Sequence, residues 1–270
     1  MKFLKPKFWD NNQISFFAIS LFPVSLLIQM VNLIKRFIAK NYKCSIPVIC
    51  VGNIYIGGTG KTPMCSELFS ILKNLNKKSV FIRKKYESFQ DEINLLKQTG
   101  PVCENTKRID ALREAIEKKF EIAILDDGFQ DFSIKKDLSI ICFNEKQWIG
   151  NGLVIPSGPL REGLSALTRA NCVIINGKKN INMESKILER NKLIKIFYSE
   201  YKPQNINEFK NKKTICFAGI GNPDNFFDLL KENQINILEQ SSFPDHHNYS
   251  KAELDNLTKK ANEKAAILLT

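Results

Sequence analysis

The sequence predicts an α/β protein whose main sheet is mostly parallel with helices on both faces, and three observations predict it. Short apolar runs rich in β-branched residues alternate along the chain with helically patterned segments. A glycine-rich loop joins one such run to a helix within residues 51–63. A second run, residues 121–125, ends in the adjacent carboxylates Asp126 and Asp127. A strand that ends in acid beside a glycine loop suits a nucleotide site of the P-loop NTPase kind, where the acid serves the metal.

Residues 1–40 form the first segment. No charged residue lies between positions 11 and 34, Trp9 precedes this run, and Lys35 and Arg36 follow it. The length could cross a bilayer, which takes roughly 20 apolar residues. Asn11, Asn12, Gln13, Gln29 and Asn32 interrupt it, however, and Pro23 sits in its middle. The preferred reading is a helix lying in the membrane interface, anchored by Trp9, Lys35, Arg36 and Lys40. A full span, or a helix packed on the protein's own core, is the alternative. Both membrane readings keep the following residues on the cytoplasmic side of the membrane.

Residues 41–176 read as the nucleotide domain. The run 45–51 is a buried strand and 64–75 a helix. Between them Gly57, Gly58 and Gly60 allow a turn tight enough to aim backbone N–H groups at an anion, with Thr59 inside the same turn. Lys61 supplies a point charge for phosphate, the Thr62 hydroxyl suits Mg²⁺, and Pro63 fits the first turn of a helix. Tyr55 stands where the textual phosphate-loop pattern has its first glycine. A second strand, 80–83, ends in Arg83, Asp91 opens a helix, and 109–119 is the helix that feeds the Asp126 strand. Gly128 to Gln130 form the turn after it. Strands are expected at 138–143 and 172–175, separated by a glycine- and proline-rich loop, 150–163, that carries Arg161. Residues 177–193 read as a linker. Residues 194–270 read as a second, smaller α/β lobe, with strands at 194–198 and 214–217, a turn at 219–223 and a helix from Asp224. The only two histidines, His246 and His247, follow Asp245 there. The final residues, 265–270, read as a strand expected to continue into further chain.

The net charge is +12, carried mostly by lysines spread along the whole chain. No arginine-rich arm or aromatic-interleaved basic run is present, so no nucleic-acid partner is expected. An anionic membrane surface or a phosphorylated substrate fits the charge better. Seven scattered cysteines include no C-x-x-C pair, which argues for a reducing compartment and against both a zinc site and a disulfide framework. From the residues alone, two other proteins stay open: a membrane-tethered regulatory ATPase that phosphorylates nothing, and a soluble small-molecule kinase.

Taken together, residues 51–63, 126–130, 150–162, 218–223 and 245–247 resemble, in order, the motifs of the tetraacyldisaccharide 4′-kinase family. The resemblance covers nearly the whole chain. It implies transfer of the γ-phosphoryl of ATP, with Mg²⁺, to the 4′-hydroxyl of a lipid A disaccharide 1-phosphate at the cytoplasmic face of the bacterial inner membrane. By the same resemblance, Gly57 to Pro63 hold the nucleotide, Thr62, Asp126 and Asp127 serve the metal, and Arg83, Gln130 and Arg161 meet the substrate. Asp91 and His246 would form the pair that takes the proton of the sugar hydroxyl, with Lys61 completing the catalytic set. The chain departs from the family pattern at Gln90, at residues 82–87, and at Asp131-Phe132, where a His-Arg pair is usual.

Overall fold

A computed structural model describes residues 5–11, 13–85, 90–203, 205–221, 223–244 and 247–270, with the side chains of 90–92 outside the description. Residues 5–200 form one compact unit and residues 201–270 another.

The larger unit opens with a 3₁₀ turn, Lys7–Trp9, and helix α1, Phe16–Ile38. It continues through β1 (Val48–Gly52), α2 (Lys61–Asn74), β2 (Ser79–Lys84), α3 (Gln90–Thr99), β3 (Val102–Asn105), α4 (Arg108–Glu117) and β4 (Ile122–Asp126). Then follow β5 (Leu138–Asn144), β6 (Cys172–Asn176), α5 (Ile181–Arg190) and β7 (Lys195–Ser199). The seven strands make one sheet in the order β3-β2-β4-β1-β5-β6-β7, every pair parallel. Strands buried on both faces explain why these runs are apolar throughout rather than alternating. Val48, Cys50, Val80, Ile82 and Leu125 pack on one face with Ala111 and Leu112 of α4 and with Met183 and Ile187 of α5. Val51, Phe81, Ile124 and Ile140 pack on the other with Cys65, Leu68 and Leu72 of α2 and Leu96 of α3. β1 is the central strand, flanked by β4 and β5. The strand order reverses there, the place where open parallel sheets bind ligands beyond their carboxyl ends.

Helix α1 starts at Ser15, whose hydroxyl accepts the Ala18 amide at 3.2 Å. It is long and apolar enough to cross a membrane, and most of it is exposed: Phe16, Phe17, Leu27, Phe37 and Ile38 are each more than half accessible. One narrow stripe is not. Ala18 and Ser25, seven residues apart and so on one face, are fully buried. The Ser25 hydroxyl lies 2.8 Å from both the Val154 carbonyl and the Ser157 hydroxyl, and it accepts the Ser157 amide at 3.1 Å. Trp9, also buried, donates its indole N–H to the Pro156 carbonyl at 3.0 Å. The apolar segment is therefore pinned to the 153–157 loop through small and polar residues, and its large apolar side chains stay outside.

The smaller unit contains β8 (Lys213–Ala218), α6 (Pro223–Glu232), β9 (Asn236–Ser242), α7 (Lys251–Glu263) and β10 (Ile267–Leu269). Its sheet is also parallel, in the order β10-β8-β9, with Phe227 and Leu230 of α6 on one face and Leu257 and Ala261 of α7 on the other.

The boundary between units differs from the expected one. Residues 177–193 carry α5 rather than a linker, and the strand at 194–198 is β7, paired with β6 in the large sheet. The division falls at 200/201. The polar surface of α5, with Glu184, Lys186, Glu189 and Arg190, hides a short inward stripe, Met183 and Ile187, at helical spacing.

Candidate active site

The glycine loop leaves the carboxyl end of β1 and enters α2. Gly57 and Gly60 take φ of 123° and 86°, conformations side chains resist, and Gly60 is the residue before the helix. Buried Asn53 spans the loop, its amide donating to the Thr59 hydroxyl at 2.9 Å and, more weakly, to the Gly57 carbonyl at 3.4 Å. Lys61 and Thr62 are the first two residues of α2, so ammonium, hydroxyl and the positive helix end meet at one point. Tyr55 needs no glycine freedom. It is fully buried among Val154 and Leu160, bridges to Leu160 across an antiparallel pair, and gives its hydroxyl to Asp10 at 3.1 Å.

Strand β4 delivers the two carboxylates into different surroundings. Asp126 is only 2% accessible and lies 3.2 Å from the buried Arg83 guanidinium at the end of β2, with the Cys65 thiol donating from 3.7 Å. Arg83 is thus turned to Asp126 inside the protein rather than outward to a substrate. Asp127 follows with φ of 53° and opens toward solvent. Arg161 donates to both of its carboxylate oxygens, at 2.8 and 3.0 Å, and the Lys61 ammonium stands 3.9 Å away. Burial pushes the Asp127 carboxyl up, but Lys61 and Arg161 outweigh it and hold the group below the usual carboxylate range. The turn after it is fixed by close approach: a Cβ at Gly52 would lie 2.5 Å from the Phe129 Cβ. Gln130 donates to the Asn53 carbonyl at 2.9 Å, tying this turn to the glycine loop.

A cavity of 630 Å³ opens from Asp127 and Arg161 to the carboxyl-terminal end of α1, where Lys35 and Ala39 line it. Lys84, Lys107, Arg108, Gln130 and Asp131 complete its polar wall. Arg108 gave no signal in the sequence. It donates to the Asp127 carbonyl at 2.8 Å and pairs with Asp131 at 3.2 Å. Arg169 was missed for the same reason. It forms a two-oxygen pair with Glu162 at 2.9 and 2.8 Å, 4.6 Å from the Phe129 ring centre. Loops 127–132 and 161–169 are thereby locked together beside the cavity.

Asp91 lies in the first turn of α3, its side chain outside the description, and His246 lies outside the described residues. Its neighbour His247 holds Glu253 at 3.0 Å and stacks on Phe243.

The residues present fit a nucleotide with Mg²⁺. The Thr62 hydroxyl and the two aspartates are hard oxygen donors, and the buried Oδ1 of Asn53 has no hydrogen-bond partner among the described residues. Mg²⁺ at a phosphate site takes only one or two protein carboxylates, the rest coming from phosphate and water. No group of three metal-ligating side chains is found among the described residues.

The tetraacyldisaccharide 4′-kinase of Pelagibacter ubique is 44% identical to this chain over 273 residues, covering 100% of this chain and 87% of the relative. That of Rickettsia canadensis is 35% identical, covering 97% and 84%. Among solved structures, the LpxK of Aquifex aeolicus in complex with ATP superposes with a TM-score of 0.66 at 25% identity, over 87% of this chain and 84% of that one. The model of the family described as "LpxK: Tetraacyldisaccharide-1-P 4'-kinase" matches residues 17–270, and the chain belongs to that family.

Proposed function

We propose that this kinase joins its two substrates at Asp127, with the ATP phosphates on the loop 57–63 and the acceptor's 1-phosphate in the basic cavity beside it. The carrying observation is that one carboxylate, Asp127, contacts both the loop lysine, Lys61, and the cavity arginine, Arg161. Thr62, Asp126 and Asp127 would hold Mg²⁺, which supplies charge neutralisation to the transferred phosphoryl group. Arg83 orients Asp126. Lys35, Lys84, Lys107, Arg108 and Arg161 supply the positive field for a sugar phosphate. Gln130 fixes the turn between the two. The reaction forms a bond from the 4′-oxygen to the γ-phosphorus and breaks the bond to the β,γ-bridging oxygen. The hydroxyl proton passes to a base, which we assign to His246 oriented by Asp91 on the strength of the family motifs.

The membrane-facing part of the reading rests on α1. Its exposed apolar side chains, with Lys35 and Arg36 in the last turn, suit a helix embedded at the cytoplasmic face of the inner membrane. Because the cavity reaches Lys35 and Ala39, the acceptor's phosphate would enter from headgroup level while its acyl chains stay in lipid.

The test is transfer of labelled γ-phosphate from ATP to tetraacyldisaccharide 1-phosphate in detergent micelles. Label should enter the lipid, fall about 10²–10⁴-fold in His246→Ala with ATP binding retained, and fall in Lys61→Ala as well. Phosphate released to water with no labelled lipid would replace this reading by the regulatory ATPase.

A further inference from the structure

A second hollow, of 490 Å³, shares Phe132 with the first. Its lining includes Arg36 from the last turn of α1, Lys135 and Lys136 from the segment before β5, and Arg169. Arg169 spends its charge on Glu162. The other three cations do not. Among the described residues no carboxylate forms an ion pair with Arg36, Lys135 or Lys136. The Lys136 ammonium donates instead to the backbone carbonyls of Phe129, at 3.4 Å, and Asp131, and stands 6.0 Å over the Phe132 ring. The nearest acid facing it, Asp131, is engaged with Arg108 and Ser133. Three uncompensated positive charges around one hollow call for an anion.

The position of the hollow says which anion. Arg36 is followed directly by Phe37 and Ile38, which are 81% and 73% accessible. The rim is therefore continuous with the apolar face of α1, and whatever fills the hollow carries an apolar part on the same side. Among the described residues no carboxylate lines the hollow to receive an amine or choline. We propose that this hollow binds the phosphodiester headgroup of an anionic glycerophospholipid of the bilayer, a site separate from the acceptor's cavity. It rests on the reading of α1 as a membrane-embedded helix. Bound there, the lipid would fix the carboxyl-terminal end of α1 at headgroup depth and so set the height at which the acceptor cavity meets the bilayer.

The experiment is flotation of the full chain with phosphatidylcholine vesicles, with and without phosphatidylglycerol, and calorimetric titration with the two soluble dihexanoyl lipids and with inorganic phosphate. Phosphatidylglycerol should raise vesicle affinity, and Arg36→Gln/Lys135→Gln should lower that gain by about 30-fold, each cation near an anionic surface counting for about a fivefold factor. The double variant Lys73→Gln/Lys77→Gln removes the same charge from exposed positions of α2 and its following turn, and should lose much less. Dihexanoyl phosphatidylglycerol should bind one to one, with Lys136→Met weakening it, and dihexanoyl phosphatidylcholine should not bind. Equal loss in both double variants, or equal binding of the two lipids, overturns the proposal, because only the net charge or the acyl chains would then be at work. Binding of inorganic phosphate as tight as that of the lipid assigns the hollow to free phosphate and also overturns it. A chain that floats with neither vesicle sinks the reading of α1. A chain that floats equally with both sinks only the headgroup site.

Discussion

Replacing Arg83 by methionine tests how the glycine loop obtains its buried acid. The Arg83 and Asp126 side chains are 7% and 2% accessible and 3.2 Å apart. Methionine keeps the length and removes the charge, so the buried Asp126 carboxyl loses the guanidinium 3.2 Å away. Breaking a buried pair from one side costs about 3–5 kcal/mol, against about 0–1 for an exposed pair. For a unit the size of residues 5–200 that corresponds to a fall in melting temperature of about 6–20 °C. Circular dichroism melts of the full chain and a urea titration of the same variant measure it. The cycle with Asp126→Asn is the sharper test. The double variant should be more stable than the sum of the single losses by about 1–3 kcal/mol, because the two changes share one interaction. Kinase activity is not the readout, since Asp126 is also assigned to the metal. If Arg83→Met melted within about 4 °C of the parent, the most expected of an exposed pair, the assignment of Arg83 to Asp126 would be wrong. Its role as a substrate contact would then return.

Arg161→Lys should lower kcat/KM by about 10–100-fold through loss of the two-oxygen contact. It should also let the Asp127 carboxyl rise, moving the acidic limb of the pH–rate profile upward; an unmoved limb with reduced rate would separate Arg161 from Asp127. Ser25→Ala leaves the buried Ser157 amide without its acceptor at a cost of about 1–3 kcal/mol, while the Val154 carbonyl keeps the Gly158 amide. Limited trypsin digestion at Lys35 and Arg36 should accelerate. Glu253 is held at about 2, below its ordinary 4.5, by the Ser250 amide and hydroxyl and by His247. A depressed carboxyl gives stability that is full above its unfolded value and lost as pH falls through the folded one. Amide exchange in α7 should therefore quicken between pH 4.5 and about 2, and Glu253→Gln should abolish that acid dependence.

Much of this molecule could be read from local patterns. The glycine loop, the strand ending in Asp126 and Asp127, and the apolar runs that became β1, β5, β6 and β8 are signalled by short-range chemistry, and the structure assembles them as a parallel sheet. What escaped was decided by distant partners. β3 is only four residues long, and most of β9 is polar, so neither carries a strand pattern of its own. α5 hides its two buried residues among charged and polar neighbours. Arg83 reads as a substrate contact in the sequence because its partner lies 43 positions away on the next strand but one. Arg108 and Arg169 stood in no motif, yet each reaches the turn after β4, Arg108 at the Asp127 carbonyl and Arg169 at the Phe129 ring. Tyr55 looked like a flaw in the phosphate loop. Its burial against Leu160 shows that the Arg161 loop had to be known first.

Every strand pair in both sheets is parallel, and this has a consequence for how the chain is made. No two neighbours can close as a hairpin. β1 must wait for β4, whose residues pair Val48 with Ala123, and the β5 side closes only after residue 138 is available. During synthesis the first strand therefore emerges long before it has anything to pair with, next to a helix whose apolar side chains remain outward even in the finished fold. Such topologies fold slowly and expose unpaired edges while they do so. A nascent chain of this kind gains from early capture of α1 by the bilayer, which would take the most aggregation-prone segment out of solution before the sheet that follows it can close.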